Sequence, residues 1–333
     1  SSSSEKTDAK ALAGSRVQAL QEKQLPAQAA VLGATVYTFV KEAYDDTPFD
    51  LLVIDEAGQV SLSNLLYMSR MARNILLVGD QQQLSQPNRA AHPDDSGLSC
   101  LDYVMADRAV VPADQGVFLS TSWRMPPTLT AVVSELFYEG KLQAAAANDA
   151  NAVLWSRQPQ GLLFEPVRHS GNSTACDAEV EHIAQLVEQL LGRPYQRARN
   201  RGGELVVQQG VIQPGDILIT APYNLQVNRL RQRLGDRARI GTVDKFQGQE
   251  APVAIHSLTA SDGDAAPRGL DFLLDANRLN VAISRAQCLS IVVGCPELAT
   301  GISTSIANVQ RLSRLCRLLE AHQPPSFAQA GRA

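Results

Sequence analysis

Three observations predict an α/β fold built on parallel sheets. Short runs rich in β-branched residues alternate with helical stretches along most of the chain. The runs are apolar almost without interruption, the pattern of strands covered on both faces. The 333 residues, 44% apolar and 19% charged, are enough for two domains with ordinary soluble cores.

Strands are predicted at Leu51–Asp55, Ile75–Asp80, Gly116–Leu119, Leu162–Val167, Asp216–Ala221, Pro252–Ser257 and Ser290–Gly294. Helices are predicted at Thr128–Phe137, Ala178–Leu191, Asn224–Leu234 and Ser305–Ala321. The last repeats apolar residues near helical spacing at Ile306, Val309, Leu312, Leu315, Leu318 and Leu319. Two segments break the rhythm. Ala144–Val153, rich in Ala and Asn, reads as a loop. Gly192–Gly215, with Arg193, Arg197, Arg199, Arg201 and five glycines, reads as an exposed insertion. The strand series restarts near Ser120–Trp123, which divides residues 1–120 from residues 121–323. The Ser1–Ser4 run and the tail over residues 324–333 have the composition of disorder.

Charge excludes a uniformly basic coat. Thirty Lys plus Arg face thirty-four Asp plus Glu, a net charge of −4, so a nucleic-acid surface must be a local patch. The cations are 24 Arg and only 6 Lys: Lys6, Lys10, Lys23, Lys41, Lys141 and Lys245. No apolar run approaches the ~18 residues of a membrane span, and Ser1–Lys10 has no signal-peptide core. Cys100, Cys176, Cys288, Cys295 and Cys316 are odd in number and form no CxxC pair. That pattern argues against a disulfide scaffold or a zinc ribbon and fits a reducing, cytoplasmic setting.

Chemistry concentrates at two strand tips. Leu51–Gln59, LLVIDEAGQ, ends an apolar strand in adjacent carboxylates, Asp55 and Glu56, at the edge where ligands bind in open α/β sheets. Two acids there suit metal–phosphate chemistry, one holding Mg²⁺ and the other orienting an attacking water. Alternatively, they only cap the following helix. Ile75–Leu84, ILLVGDQQQL, supplies a second apolar strand, ending in amides at the same edge. The pairing favours a site over a cap.

With these two segments in place, the chain resembles superfamily 1 helicases of the DEAxQ type, within the P-loop motor families. The resemblance covers most of Ala34–Gly294 and rests on six short matches in order. Asp55-Glu56-Ala57-Gly58-Gln59 looks like motif II, and Gly79–Gln83 with Leu84 like motif III. Ser122-Trp123-Arg124-Met125-Pro126 is similar to the motif IV region, and Pro222-Tyr223-Asn224-Leu225-Gln226 to the P-Y-x-x-Q element. Gly241–Glu250 resembles motif V and Asn277–Ala286 motif VI.

The resemblance implies tandem RecA-like domains, the first incomplete, and an ATP-dependent helicase or translocase. Mg²⁺ and ATP would sit in the interdomain cleft, with Asp55 on the metal, Glu56 activating water and Gln83 sensing the γ-phosphate. Arg124 and Arg285 would act as arginine fingers, a role worth about 10³–10⁵ in rate where measured. Arg278 would otherwise pair with Asp275. Glu250, after Gly248 that lets backbone approach closely, would accept from the ribose hydroxyls. Trp123, where the family has Tyr, offers a face for adenine, or is a core residue. Thr220, Tyr223, Asn224, Gln226 and Thr242 would line a track for single-stranded nucleic acid, DNA ahead of RNA, held by its backbone. Arg229, Arg231, Arg233, Arg237 and Arg239 read better as a solvated helix face.

A nucleotide motor also needs the phosphate-cradling loop GxxxxGK[ST]. The one lysine after a glycine, Lys141, has Glu135 where the first Gly belongs and Leu142 where Ser or Thr belongs. With 54 residues ahead of Asp55, an upstream part of the same polypeptide carrying that loop is expected. Two rival readings remain: a non-hydrolysing nucleic-acid or partner-binding module, and a nuclease built on His92, Asp94 and Asp95 with Glu139 and Lys141.

Overall fold

A computed structural model of the chain describes residues 31–39, 49–84, 94–106, 108–201, 204–263, 268–300 and 305–320. The Ser1–Ser4 run, His92 and the tail over residues 324–333 lie outside them. Among the described residues no helix is long and apolar enough to cross a membrane.

The first half of the chain contributes two parallel strands, β1 (Phe49–Ile54) and β2 (Ala72–Leu77), paired from Phe49↔Ala72 to Ile54↔Leu77. Between them runs α1 (Leu62–Met68), started by Ser61, whose side chain accepts from Asn64 N. The next helix is α2 (Cys100–Met105), capped in the same way by Ser99. Leu52, Ile54, Ala57, Met68, Cys100, Leu101 and Met105 form their small core.

The second half is organised by a five-stranded parallel sheet. In chain order its elements are α3 (Pro127–Phe137), β3 (Gly161–Pro166), α4 (Asp177–Leu190), a hairpin of β4 (Pro194–Arg201) and β5 (Glu204–Val211), and β6 (Ile217–Thr220). Then follow α5 (Asn224–Leu234), β7 (Arg239–Gly241), β8 (Ala251–Ser257), α6 (Ala276–Ser284), β9 (Ala286–Gly294) and α7 (Ile306–Glu320). Across the sheet the order is β7-β6-β8-β9-β3, every neighbour parallel. Strand alternation splits the core into two layers. Ile217, Ile219, Val253, Ile255 and Ile291 pack with Ile183, Leu190, Val227 and Leu230 of α4 and α5. Phe164, Ala254 and Val292 pack with Leu129, Phe137, Leu279, Ile283 and Leu315 of α3, α6 and α7. The predicted parallel-sheet α/β class is therefore observed, and α5 has the predicted bounds.

Four expectations change. Gly116–Leu119 forms no strand, because no ladder partner reaches it and Val117 and Leu119 face solvent. Ala144–Val153 is more ordered than a loop: a 3-10 turn at Ala146–Ala150 lies between two-residue strands. In α7 only Leu312, Leu315 and Leu318 are fully buried, while Ile306 and Val309 project outward. Gly192–Gly215 is exposed along β5 as expected, but it is an ordered antiparallel hairpin anchored by buried Tyr195 and Ile212.

Candidate active site between the two halves

The two signature loops of the first half are held against each other by backbone. Val78 N donates to Ile54 O at 2.8 Å and Ala57 N to Val78 O at 2.9 Å. Gly79 is required there, since a Cβ would stand 2.8 Å from Ala57 N. Asp55 and Glu56 emerge at the tip of β1 and both are exposed. Glu56 sits in the left-handed region at φ 54°, and Gln59 Nε2 donates to its Oε2 at 3.1 Å. A non-glycine residue in that region is uncommon. Neither acid makes an ion pair among the described residues.

Asp80, at the tip of β2, gathers partners from both halves. Its Oδ1 accepts from Gln82 N at 2.9 Å, and its Oδ2 accepts from Gln83 Nε2 at 2.8 Å and from Tyr138 Oη at 2.6 Å. Asn280 Nδ2, on α6, donates to the same phenol at 2.9 Å and to Gln82 O at 2.8 Å. One turn earlier, Asn277 Nδ2 donates to Gln81 O at 3.0 Å. The i, i+3 spacing puts both asparagines on one helix face, against the amide run of the first half. Leu84 seals the contact by packing with Val243, Val281 and Ala282. Burial, then the Asp80 carboxylate, pushes the Tyr138 phenol well above its ordinary range, so it stays a donor.

Arg285 completes the bridge. Its Nη2 donates to Gln83 Oε1 at 3.1 Å and its Nε to Val281 O at 3.2 Å. Burial, then the like charge of Arg124, lowers its pKa to about 10, against the pull of Tyr138, Glu56 and Glu250. It remains cationic at neutral pH, and Glu56 of the other half lies near enough to favour that charge. Arg124 donates from Nε to Glu250 Oε2 at 2.9 Å and from Nη1 to Ser284 O at 3.2 Å.

The predicted site residues thus divide. Gln83, Arg124, Glu250 and Arg285 meet at the junction, with Glu56 near enough to act on Arg285. Among the described residues Asp55 meets only the backbone N of Glu56, at 3.0 Å. Glu250 differs from expectation in having both oxygens engaged, by Arg124 and by Gln287 Nε2 at 2.6 Å. Gly248 has φ +73°, a conformation that suits glycine, and an added Cβ there would meet no protein atom. Trp123 is exposed, which removes the core alternative. Arg278 pairs with Asp244 at 3.0 and 3.2 Å, and only its backbone N meets Asp275.

The expected nucleic-acid track needs correction. Gln226 is fully buried, bonded to Cys176 N at 2.8 Å and to Ser257 Oγ at 3.0 Å. Thr220 is buried against Ile255 O and His256. Both side chains are buried and spent on internal hydrogen bonds. Tyr223 is mostly buried against Phe272, its Oη without a hydrogen-bond partner among the described residues. Asn224 is exposed and Thr242 half-buried. Arg229, Arg233 and Arg237 pair with Asp177, Glu181 and Glu188 of α4, while Arg231 and Arg239 donate to Ile240 O and Glu250 O. In the nuclease reading, Lys141 is spent on Glu139 at 2.9 Å. Tyr138, Asn277 and Asn280 escaped sequence reasoning. Asn277 and Asn280 lie in a segment already matched to the family and Tyr138 lies outside the matched segments, but the contacts of all three are not local.

Fold and site together define a two-part α/β protein with a composite site at the junction, acids from one part and guanidiniums from the other. A family model described as an AAA domain matches residues 99–297, and a second of the same description matches residues 2–86. The chain belongs to the AAA-domain family, and its resemblance to superfamily 1 helicases is borne out. It is 29% identical over 267 residues to a DNA replication ATP-dependent helicase/nuclease of Xenopus laevis, covering 74% of this chain and 25% of that protein. It is 29% identical over 263 residues to a regulator of nonsense transcripts 1 homolog of Drosophila melanogaster, covering 75% of this chain and 21% of that protein. A solved arterivirus nonstructural protein 10 helicase in complex with DNA aligns at 14% identity and TM-score 0.38, over 74% of this chain and 40% of its own. The chain thus spans about a quarter of the length of these curated relatives.

Proposed function

We propose that this chain is the phosphate-sensing part of an ATP-driven helicase or translocase that moves on single-stranded nucleic acid. The observation that carries the reading is Gln83, which donates to Asp80 of its own half and accepts from Arg285 of the other. A residue so placed couples events at the strand tips to the position of the second half.

The donor set fits the terminal end of Mg·ATP. Two exposed carboxylates, unpaired among the described residues, lie at the β1 tip, and Glu56 acts on the buried Arg285 of the other half. Carboxylates and guanidiniums are the groups that hold a divalent metal and a phosphate. It does not include a lysine-bearing phosphate loop, and no such loop occurs in these 333 residues. When bound, Mg·ATP supplies the terminal phosphoanhydride that is cleaved. Asp55 would hold the metal, and Glu56 would take a proton at its carboxylate from the attacking water, its side chain steadied by Gln59. Arg124 and Arg285 would oppose charge on the terminal phosphate, and exposed Trp123 would stack on the base. Asn224 and Thr242, with Tyr223 behind them, would touch the strand backbone.

The free thiols fit a reducing, cytoplasmic setting. Relatives named for DNA replication and for nonsense transcripts motivate a DNA/RNA comparison in which DNA is expected to act more strongly. The deciding experiment is strand-stimulated ATP hydrolysis by the full-length protein. Glu56→Gln is expected to keep ATP binding while turnover falls at least about 10²-fold. Near-normal turnover by that variant rejects the reading.

A further inference from the structure

The hairpin of β4 and β5 interrupts the sheet series, and none of its residues enters the proposed reaction. Its inner edge, however, makes two separate lines of contact that both end on Arg124. The first runs through backbone. Ala198 N donates to Asn151 Oδ1 at 2.7 Å, and Asn151 Nδ2 donates to Arg124 O at 3.0 Å. Asn151 is buried and directly precedes the two-residue strand that pairs with β4 through Ala152↔Gln196 and Val153↔Tyr195. Its side chain therefore extends that ladder by one bond and passes it on to Arg124.

The second line runs through side chains. Arg197 lies over the Tyr195 ring, 5.7 Å from its centroid, and donates to Gln208 Oε1 at 3.5 Å. It also donates to Gln287 Oε1. Gln287, itself buried, donates from Nε2 to Glu250 Oε1 at 2.6 Å, and Glu250 Oε2 accepts from Arg124 Nε at 2.9 Å. Consecutive hairpin residues, 197 and 198, thus fix the guanidinium and the backbone of one arginine.

We infer that the hairpin is a positioning element for Arg124, and that Arg197 and Gln287 are positioning residues for phosphate transfer. Gln287 is suited to the task because an amide offers one acceptor and two donors. It takes a bond from Arg197 and gives one to Glu250, so Glu250 keeps the orientation that aims the Arg124 guanidinium. The inference rests on the role proposed for Arg124. It places a control point on an exposed ribbon, remote in sequence from the phosphate-facing motifs.

The test compares ATP turnover by the full-length protein at saturating single-stranded DNA in Arg197→Met, Gln287→Leu, Arg124→Ala and the double variant Arg124→Ala/Arg197→Met. Misplacement of a reacting group by about 1 Å costs up to about 10²-fold in rate. Arg197→Met and Gln287→Leu are each expected to lower kcat about ten- to a hundredfold, with KM for ATP within about twofold. A residue serving only stability would shift the melting temperature without that split. Because Arg197 acts through Arg124, the double variant is expected to be no slower than Arg124→Ala alone. Parental kcat in both Arg197→Met and Gln287→Leu, or a double variant slowed by the product of the two effects, overturns the inference while leaving the function intact. Normal turnover by Arg124→Ala overturns both.

Discussion

The two halves of the molecule solve opposite problems. The second half buries all five strands of its sheet between helices, and its β8 and β9 have no exposed residue. Among the described residues the first half has two strands, with Leu51, Val53, Ile75 and Leu76 exposed. Yet the paired acids and the amide run sit on the thinner half. The difference teaches that the geometry of those tips is held partly from across the junction, by Tyr138, Asn277, Asn280 and Arg285. The well-packed half acts as scaffold for itself and as clamp for its neighbour.

The largest expected effect tests the packing contrast. Leu289→Ala in β9 removes a fully buried side chain and is expected to cost ~2–5 kcal/mol in denaturant unfolding. Val53→Ala on half-exposed β1 is expected to stay within about 0.5 kcal/mol. Equal losses would show that the two halves share one core.

Next comes the clamp. Tyr138→Phe leaves ring packing intact but removes the hydroxyl between Asp80 and Asn280, for an expected loss of ~1–3 kcal/mol. In a double-mutant cycle with Asp80→Asn the effects are expected to fall short of additive. Full additivity would mean that the phenol does not couple the halves.

A third contrast depends on pH and belongs to the second half alone. Burial draws the His169 pKa down, but its bonds to Cys176 and Glu179 outweigh that and lift it to about 9. A folded pKa above the ordinary 6.5 makes the contribution complete below about pH 6.5, and lost as pH rises through 9. Chain stability is therefore expected to fall between pH 7 and pH 10, and His169→Gln is expected to flatten that fall. An unchanged slope in the variant assigns the pH dependence elsewhere.

The smallest effect concerns the arginine face of α5. Arg229→Ala breaks an exposed pair with Asp177 and is expected to change stability by ~0–1 kcal/mol. Strand affinity of the full-length protein is expected to hold within about twofold. A large loss of affinity would return that face to the nucleic-acid track.

Much of this was legible in order along the chain. Several helix and strand positions follow from local periodicity, and α5 has the bounds the pattern predicts, Asn224–Leu234. The motifs at β1 and β2 were visible because apolar runs ending in Asp-Glu and Gly-Asp-Gln are unusual locally. Gln226 and Thr220 were misjudged for a physical reason. A polar residue in a short motif reads the same whether it faces a ligand or satisfies buried backbone, and only burial separates the two. The Gly192–Gly215 segment was read correctly as exposed, but its hairpin order was not, since Tyr195 and Ile212 reveal the anchor only once the core beneath them exists.

By itself, then, the sequence determined the parallel α/β class, most strands of its main sheet and the acids and arginines available for phosphate chemistry. Tertiary structure decided which of them meet. Asp80 and Tyr138 are 58 residues apart and Gln83 and Arg285 are 202 apart, separations at which no periodicity speaks. Hydrogen bonds of that reach exist only after both sheets have packed and water has left the junction, because burial is what makes an unmet polar group costly.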